Sequence, residues 1–548
     1  MVPTTDLHAK DWFRYETPNF ELYAESRKND AKELINELEL LRSIAVGVIG
    51  DSQLVERKTR VMVFSRERSM VSLVPETIGA EANAPRIGYD AVWMEELLDR
   101  QRRVTGLDRL LTPDVFGDLN LWHNAIAEVF SAPQVLAAKR TAGDVPTLRS
   151  VAVYQEDASQ ILLSWEPIYM VSRERAFRSY LKLMLRGGGL GESAWFSEGM
   201  AELLRNLDLE GATYALGMSD PDVVRLMMAL NYVMPLDEFM SVDTTSLATL
   251  SEYERLAFSA QAWAFLHYCY FGSKDATAQR MATLSLLADI NRGMRDYPEL
   301  IRTHFQMESE ALERQLYGYT QLENFLGIRA PMPRGWPLKG IPSARVSDEA
   351  MVPVLAEARV RLSRSFDSTA ESAGGMTDDQ QVYLSGLGRW LSDDRVGAIE
   401  AWSELSPVYP KSALVIRAPA QHFIDAWLAD PDWDLTLSDD DSANFRSLLN
   451  DALEQDPSDQ TTMMYLAWLE ALSTQPVVEN INLVQRSVGG MIQPGLTLLA
   501  IAKLRWQMGD ESTARTLVYE YHDREHWPWV ELVDLMETKI DLWAHVPQ

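Results

Sequence analysis

The chain has little cysteine, little positive charge and no long apolar run. One cysteine, Cys269, in 548 residues excludes an internal disulfide and leaves the redox compartment open. Lys and Arg number 51 against 80 Asp and Glu, a formal net charge of −29 spread along the chain rather than held in a tail. A field of that sign repels phosphate backbones and anionic head groups, so no nucleic-acid partner is expected, and solubility and cationic partners are favoured. Apolar runs such as Ile44 to Ile49, with Gly47 inside, are far too short to cross a bilayer, so no membrane span is expected. The start, MVPTTDLHAKDWF, lacks a basic region followed by an apolar one, so no secretory signal is visible. Of the eight histidines only His522 and His526 stand at i,i+4, and Trp527-Pro528 ends any helix there, which suits a solvated pair better than a metal site.

Length and composition point to a folded protein of two or three domains. Phe20 to Ala24 reads as a strand, and Asn29 with Asp30 caps a helix with Leu34, Leu38 and Leu41 on one stripe. The Val-rich alternation of Thr59 to Phe64 predicts a second strand. Val151 to Tyr154 and Gln160 to Trp165 flank Glu156 to Ser159 as a hairpin, and a helix bearing Arg178 to Lys182 then runs to the glycines at 187–189.

The segment Ala176 to Leu204, AFRSYLKLMLRGGGLGESAWFSEGMAELL, resembles the active site of gluzincin metallopeptidases with its metal ligands removed. Trp195 to Glu202 is similar to their WFxEGxAE helix, in which the Glu before Gly, here Glu198, is the third zinc ligand. Where HExxH belongs, the chain reads Arg178-Ser179-Tyr180-Leu181-Lys182. Zinc needs two neutral imidazoles at i and i+4 and a Glu to take a proton from bound water. Two cations cannot supply the first, and Ser179 is no base near neutral pH. The resemblance extends from Trp12-to-Ala24 through Ala260-to-Tyr268 and Leu286-to-Tyr319. It implies a degenerate α+β domain over 11–325, with about 68–149 an insertion, and Glu198 paired with Lys182 or Arg178 where zinc would be. It implies no cofactor, and export to the periplasm or outside, with a cytoplasmic location as the alternative.

Residues 326–346 hold Pro331, Pro333, Pro337 and Pro342 and read as a linker. Beyond it, 347–548 reads as a helical repeat similar to tetratricopeptide repeats. Ala398, Trp402 and Pro410 stand at small, bulky and turn positions, Ala452 and Pro457 repeat part of the pattern, and Ala502, Gly509, Asp510 and Ala514 fit its middle. Trp433 to Asp441 interrupts the period. Asp430, Asp432, Asp434 and Asp441 mimic a calcium loop, yet Leu435 stands where Gly is needed, so a solvated acidic loop is expected. The run Gly187 to Gly191 lacks a phosphate-loop ending, and Cys269 lies in an apolar helix without a histidine partner.

The expectation is a non-catalytic protein, mostly helical, that binds a protein or peptide through the old cleft, through its repeats, or both. The cleft would be lined by Tyr180, Glu202, His267, Tyr154 and Trp165, and an extended segment would add to the edge of the Val151-to-Trp165 hairpin. His267 reads as packed rather than ligating. The rival expectation is a hydrolase using Glu198 and Glu202, one turn apart, as a carboxylate pair with a nucleophile from the insertion or a recruited metal. A third is a scaffold without pockets.

Overall fold

A computed structural model describes residues 7–25, 28–49, 58–66, 69–70, 72–73, 150–155, 158–165, 169–187, 193–205, 207–217, 234–243, 246–247, 250, 252–273, 275–291, 294–320, 325, 327–366, 375–457, 459–488, 495–519 and 530–540. These form an α+β protein, mostly helical, in two compact units, the first ending at Leu362.

The first unit is built on the strands β1 (Trp12–Glu16), β2 (Phe20–Glu25), β3 (Thr59–Phe64), β4 (Ser150–Gln155) and β5 (Ala158–Ser164), with the helix α1 (Lys28–Ile49) between β2 and β3. Strands β2, β3 and β5 run parallel, as Val61 opposite both Leu22 and Ile161 shows, and β1 lies antiparallel outside β2. A sheet with a parallel centre must be covered on both faces, and its strands are correspondingly apolar on both. Phe20, Leu22, Val61 and Val63 alternate with Tyr23, Met62 and Phe64, and all seven are buried. The first face receives α1, whose Leu34, Leu38 and Leu41 are buried as the stripe predicts. Asn29 and Asp30 lie inside the first turn of that helix rather than capping it. Tyr180, on the helix α2 (Tyr169–Gly187), meets the ring of Phe20 edge-on at 4.7 Å.

After α2 come α3 (Ala194–Arg205), β6 (Asp208–Glu210), β7 (Thr213–Leu216), α4 (Leu236–Ser241) and α5 (Glu252–His267), which runs on as a π-turn over Tyr268–Gly272. Helices α6 (Ala276–Asn291), α7 (Tyr297–Phe305) and α8 (Ser309–Thr320) follow, and Phe305 and Leu312 are buried in the closing pair.

Residues 326–346 are not a free linker. They carry β8 (Ile328–Pro331), which pairs with β7 in a second sheet of order β6-β7-β8, and β9 (Ser343–Arg345), which pairs with β1 and extends the large sheet to the order β4-β5-β3-β2-β1-β9. Prolines are tolerated because both are short edge strands. The helix α9 (Asp348–Ser363) then lays Met351, Leu355, Ala358 and Leu362 on Trp12, Met62, Phe64 and Leu162, covering the second face of the sheet. Arg60, reaching from β3, binds Glu357 at 2.9 Å and Glu21 at 3.0 Å, which fixes this helix laterally. Residues 347–362 therefore belong to the first unit and not to the helical one. Met70 and Leu73, at the head of the expected insertion, are also buried in this core, and the rest of 68–149 lies almost wholly outside the described residues.

The second unit, built on residues 363–548, is helical where described: α10 (Asp378–Leu391), α11 (Arg395–Ser403), α12 (Ala413–Ala429), α13 (Asp439–Gln455), α14 (Gln460–Leu472), α15 (Val478–Val488), α16 (Gly495–Gln507), α17 (Glu511–Tyr519) and α18 (Val530–Ile540). Side-chain caps mark the starts: Asp394, Ser412, Ser438 and Asp459 each accept an amide hydrogen bond from the turn that follows. Helix α10 packs on α11 where the Trp402 ring lies against Gly386, so closely that a Cβ there would fall 2.3 Å from the indole nitrogen. Further along, α12 packs on α14, α14 on α16 and α16 on α18, an alternation in which every second helix stacks on the next. Two buried carboxylates tie the stack. Asp459 binds Arg417, and Glu470 accepts from Arg446 at 2.8 and 2.9 Å, from the Val477 amide and from Asn480.

Candidate functional site

Helices α2 and α3 each present two charged residues one turn apart, and the two pairs face each other. Arg178 and Lys182 are at i,i+4 on α2, and Glu198 and Glu202 at i,i+4 on α3, so each pair shares one helix face. Lys182 Nζ lies 2.5 Å from Glu198 Oε1, and Arg178 Nη2 lies 2.9 Å from Glu198 Oε2. The same Arg178 nitrogen is 3.2 Å from Glu202 Oε1, whose other oxygen is 2.8 Å from Arg205 Nε. From α5, the Ser259 hydroxyl donates to Glu198 Oε2 at 3.3 Å. The pairing expected of Glu198 with Lys182 or Arg178 is present, with both cations at once.

All of these side chains are buried, Arg178 completely. Burial alone would favour the neutral carboxylic acid at Glu198, but Lys182 and then Arg178 outweigh it and hold the group below the usual carboxylate range. Glu198 is thus a fixed anion with both oxygens taken, a poor proton acceptor and a poor metal ligand. Glu202 is buried too, with one oxygen 3.2 Å from Arg178 and the other 2.8 Å from Arg205, although its Oε1 makes no hydrogen bond among the described residues. Among the described residues no group of three or more His, Cys, Asp or Glu side chains is placed to hold a metal ion.

Gly199, directly after Glu198, explains how three helices come so close. A Cβ built there would lie 2.5 Å from the Ala262 carbonyl oxygen and 2.8 Å from Leu266 Cδ1, so α3 and α5 cross at backbone contact. Gly199→Ala is expected to lower stability by about 1–3 kcal/mol through overpacking, read from the urea midpoint. An unchanged midpoint would contradict the crossing.

The other residues expected in a cleft are mostly interior. Ser179 is fully buried, and among the described residues its hydroxyl has no hydrogen-bond partner. Tyr180 is buried with its hydroxyl accepting from Arg42 at 3.2 Å, and burial pushes its pKa up to about 12. Trp165 is fully buried, while the side chain of Tyr154 is outside the described residues. His267 is fully buried between α5 and α8. Its Nε2 lies 2.7 Å from the Gly217 carbonyl oxygen, which can only accept, so Nε2 carries the proton and Nδ1 accepts from Tyr319 Oη at 2.7 Å. The rings of Trp263, Phe271 and Phe325 surround it. Burial holds its pKa down to about 4, so it stays neutral.

Cys269 is buried in the π-turn with its pKa pushed up to about 12, the opposite of an activated thiol. Asp441 accepts from the Ser438 hydroxyl at the start of α13, and Asp432 accepts from the Asp434 amide, so the calcium-like spacing closes on local turns. His522 and His526 lie outside the described residues. Arg205 and Ser259 were not foreseen from sequence. Only the i,i+3 spacing of Arg205 from Glu202 gave a signal, since the approach of Ser259 depends on the α3–α5 crossing. No protein-family model matches the chain, and no curated protein or solved structure does either.

Proposed function

We propose that this is a non-catalytic protein on the gluzincin plan, with an ion-pair cluster standing where zinc would be held, and that its helical second unit binds a protein or peptide partner. The observation that carries the first half is the bonding of Arg178 and Lys182, which occupy the two imidazole positions, to the single carboxylate that would be the third ligand. Element order supports it as well: a sheet with a parallel centre, a hairpin, then the two helices in sequence.

The second half rests on the stacking of alternate helices and on small residues where tetratricopeptide-like repeats need them. Ala398, Ala452, Ala502 and Ala514 are fully buried, and Gly509 turns α16 into α17 with φ of +82°. Charge is uneven. Residues 363–548 hold twelve Lys and Arg against thirty Asp and Glu, so −18 of the −29 falls on about a third of the chain, and the lysines Lys503 and Lys539 are local exceptions to that field.

The test restores the metal ligands. The triple variant Arg178→His, Ser179→Glu, Lys182→His rebuilds the missing motif opposite Glu198 and should take up about one zinc per chain by elemental mass spectrometry, where the natural sequence takes up less than about a tenth. A folded triple variant that stays empty would remove the basis for the gluzincin reading.

A further inference from the structure

The segment Asp430 to Leu437, DPDWDLTL, joins α12 to α13 and is longer than a turn requires. Its burial alternates: Pro431, Trp433, Leu435 and Leu437 face inward, and Asp430, Asp432, Asp434 and Thr436 are exposed. Trp433 and Leu435 pack against the core of the helical unit, and Leu437 belongs to it. Polar contacts follow the same track across the stack. The Leu437 amide donates to the Leu472 carbonyl at the end of α14 at 2.7 Å, and Lys503 on α16 donates to the Trp433 carbonyl at 2.8 Å. The Lys503 ammonium also lies 4.2 Å from the centre of the Trp433 ring, and Asp434 stands 3.5 Å from Lys539 on α18. The segment thus touches the C-terminal ends of three successive stacked helices, as a bound peptide would, through side chains on one side and a backbone carbonyl held by a lysine.

We propose that Asp430–Leu437 is an internal ligand, occupying a face of α14, α16 and α18 that receives a partner's segment of the same chemistry, an aromatic residue between carboxylates. This rests on reading the helical unit as the partner-binding part of the chain. The contacts suit release. The Asp434–Lys539 pair is largely solvated and adds little. Lys503 is buried, and burial pushes its pKa down to about 8, with Asp434 and Asp432 opposing and Lys539 assisting. At neutral pH the covered ammonium is therefore held against a desolvation penalty that lifting Trp433 would relieve.

The test uses the full chain with Asp430–Leu437 replaced by eight Gly and Ser residues, and a fluorescently labelled synthetic peptide of the sequence LADPDWDLTLS. The peptide should bind the loop-replaced chain at least about tenfold more tightly than the natural one, because the tethered segment competes at high effective concentration. Adding Lys503→Met to the loop-replaced chain should reverse most of that gain. A folded loop-replaced chain with no gain overturns the proposal: equal binding to both chains would keep a partner-binding unit without an internal occupant, and binding to neither would remove that unit's partner-binding reading as well. If the replacement unfolds the unit, hydrogen exchange on the natural chain decides instead. The Leu437 amide should exchange at least about 100-fold faster than amides in the middle of α14, and exchange of both only by global unfolding overturns the proposal. Zinc uptake by the triple variant involves only the first unit, so the two results are independent.

Discussion

Glu198→Ala is expected to destabilise the first unit by about 3–5 kcal/mol, because it leaves Arg178 and Lys182 facing a cavity in place of the carboxylate that both bind. Glu198→Gln keeps the shape, loses the charge and should still lose most of that stability. Replacing Arg178, Lys182 and Glu198 together by Met should be close to neutral or stabilising, since desolvating three charges opposes their mutual attraction. The contrast between single and triple replacement separates a structural cluster from a working one. Urea unfolding of the first unit reads it, or hydrogen exchange in α2 and α3 where the units unfold together. A loss under about 1 kcal/mol for Glu198→Ala would mean that the carboxylate has another purpose, and the hydrolase reading would return.

The second large effect is sensitivity to acid through His267. Its pKa lies at about 4 in the folded chain, against an ordinary value of 6.5. Between those values the unfolded chain binds a proton that the folded one does not, so stability rises with pH there and is lost as pH falls. The stabilisation is complete above about 6.5, and roughly 3 kcal/mol has gone by about pH 4. Protonation would turn Nδ1 from acceptor to donor against Tyr319 Oη inside an aromatic cage. Glu198 is held below the ordinary carboxylate range, and only comparison with a His267 variant separates this ring from the other seven histidines, His304 on Asp289 among them. The measurement is the thermal midpoint against pH for the natural chain and for His267→Gln, whose curve should be flatter over that window. Parallel curves would show that His267 is not the acid-sensitive group.

Much of the first unit was legible because its strands alternate and its helices carry clear stripes. Thr59 to Phe64 and the hairpin stand where the Val-rich runs put them, and α2 ends at Gly187. The ion pair at Glu198 could be anticipated because Arg178 and Lys182, one turn apart, put two cations on one helix face next to a helix that carries carboxylates at the same spacing. What misled was proline. Four of them made 326–346 look like a tether, whereas β8 and β9 are edge strands of four and three residues, exposed at nearly every position, so no alternation of buried apolar residues marks them. The segment from Asp430 misled in the opposite way, because its outward aspartates suggested a solvated loop while Trp433 and Leu435 were the residues that dock. The burial of Tyr180 was out of reach too, since it meets Phe20 and Arg42 from distant parts of the chain and no local pattern reports that approach, whereas His267 is packed as its aromatic neighbours suggested.

The sheet that begins at Trp12 is completed only by β9 and α9, near Leu362. On a ribosome making roughly 5–20 residues per second, the emerging chain would hold Met62, Phe64 and Leu162 uncovered for on the order of 10 s to a minute before their lid is synthesised. Nascent-chain holdases would find their apolar target there, and a gene fragment ending in the proline-rich stretch would encode a sheet with one face permanently bare.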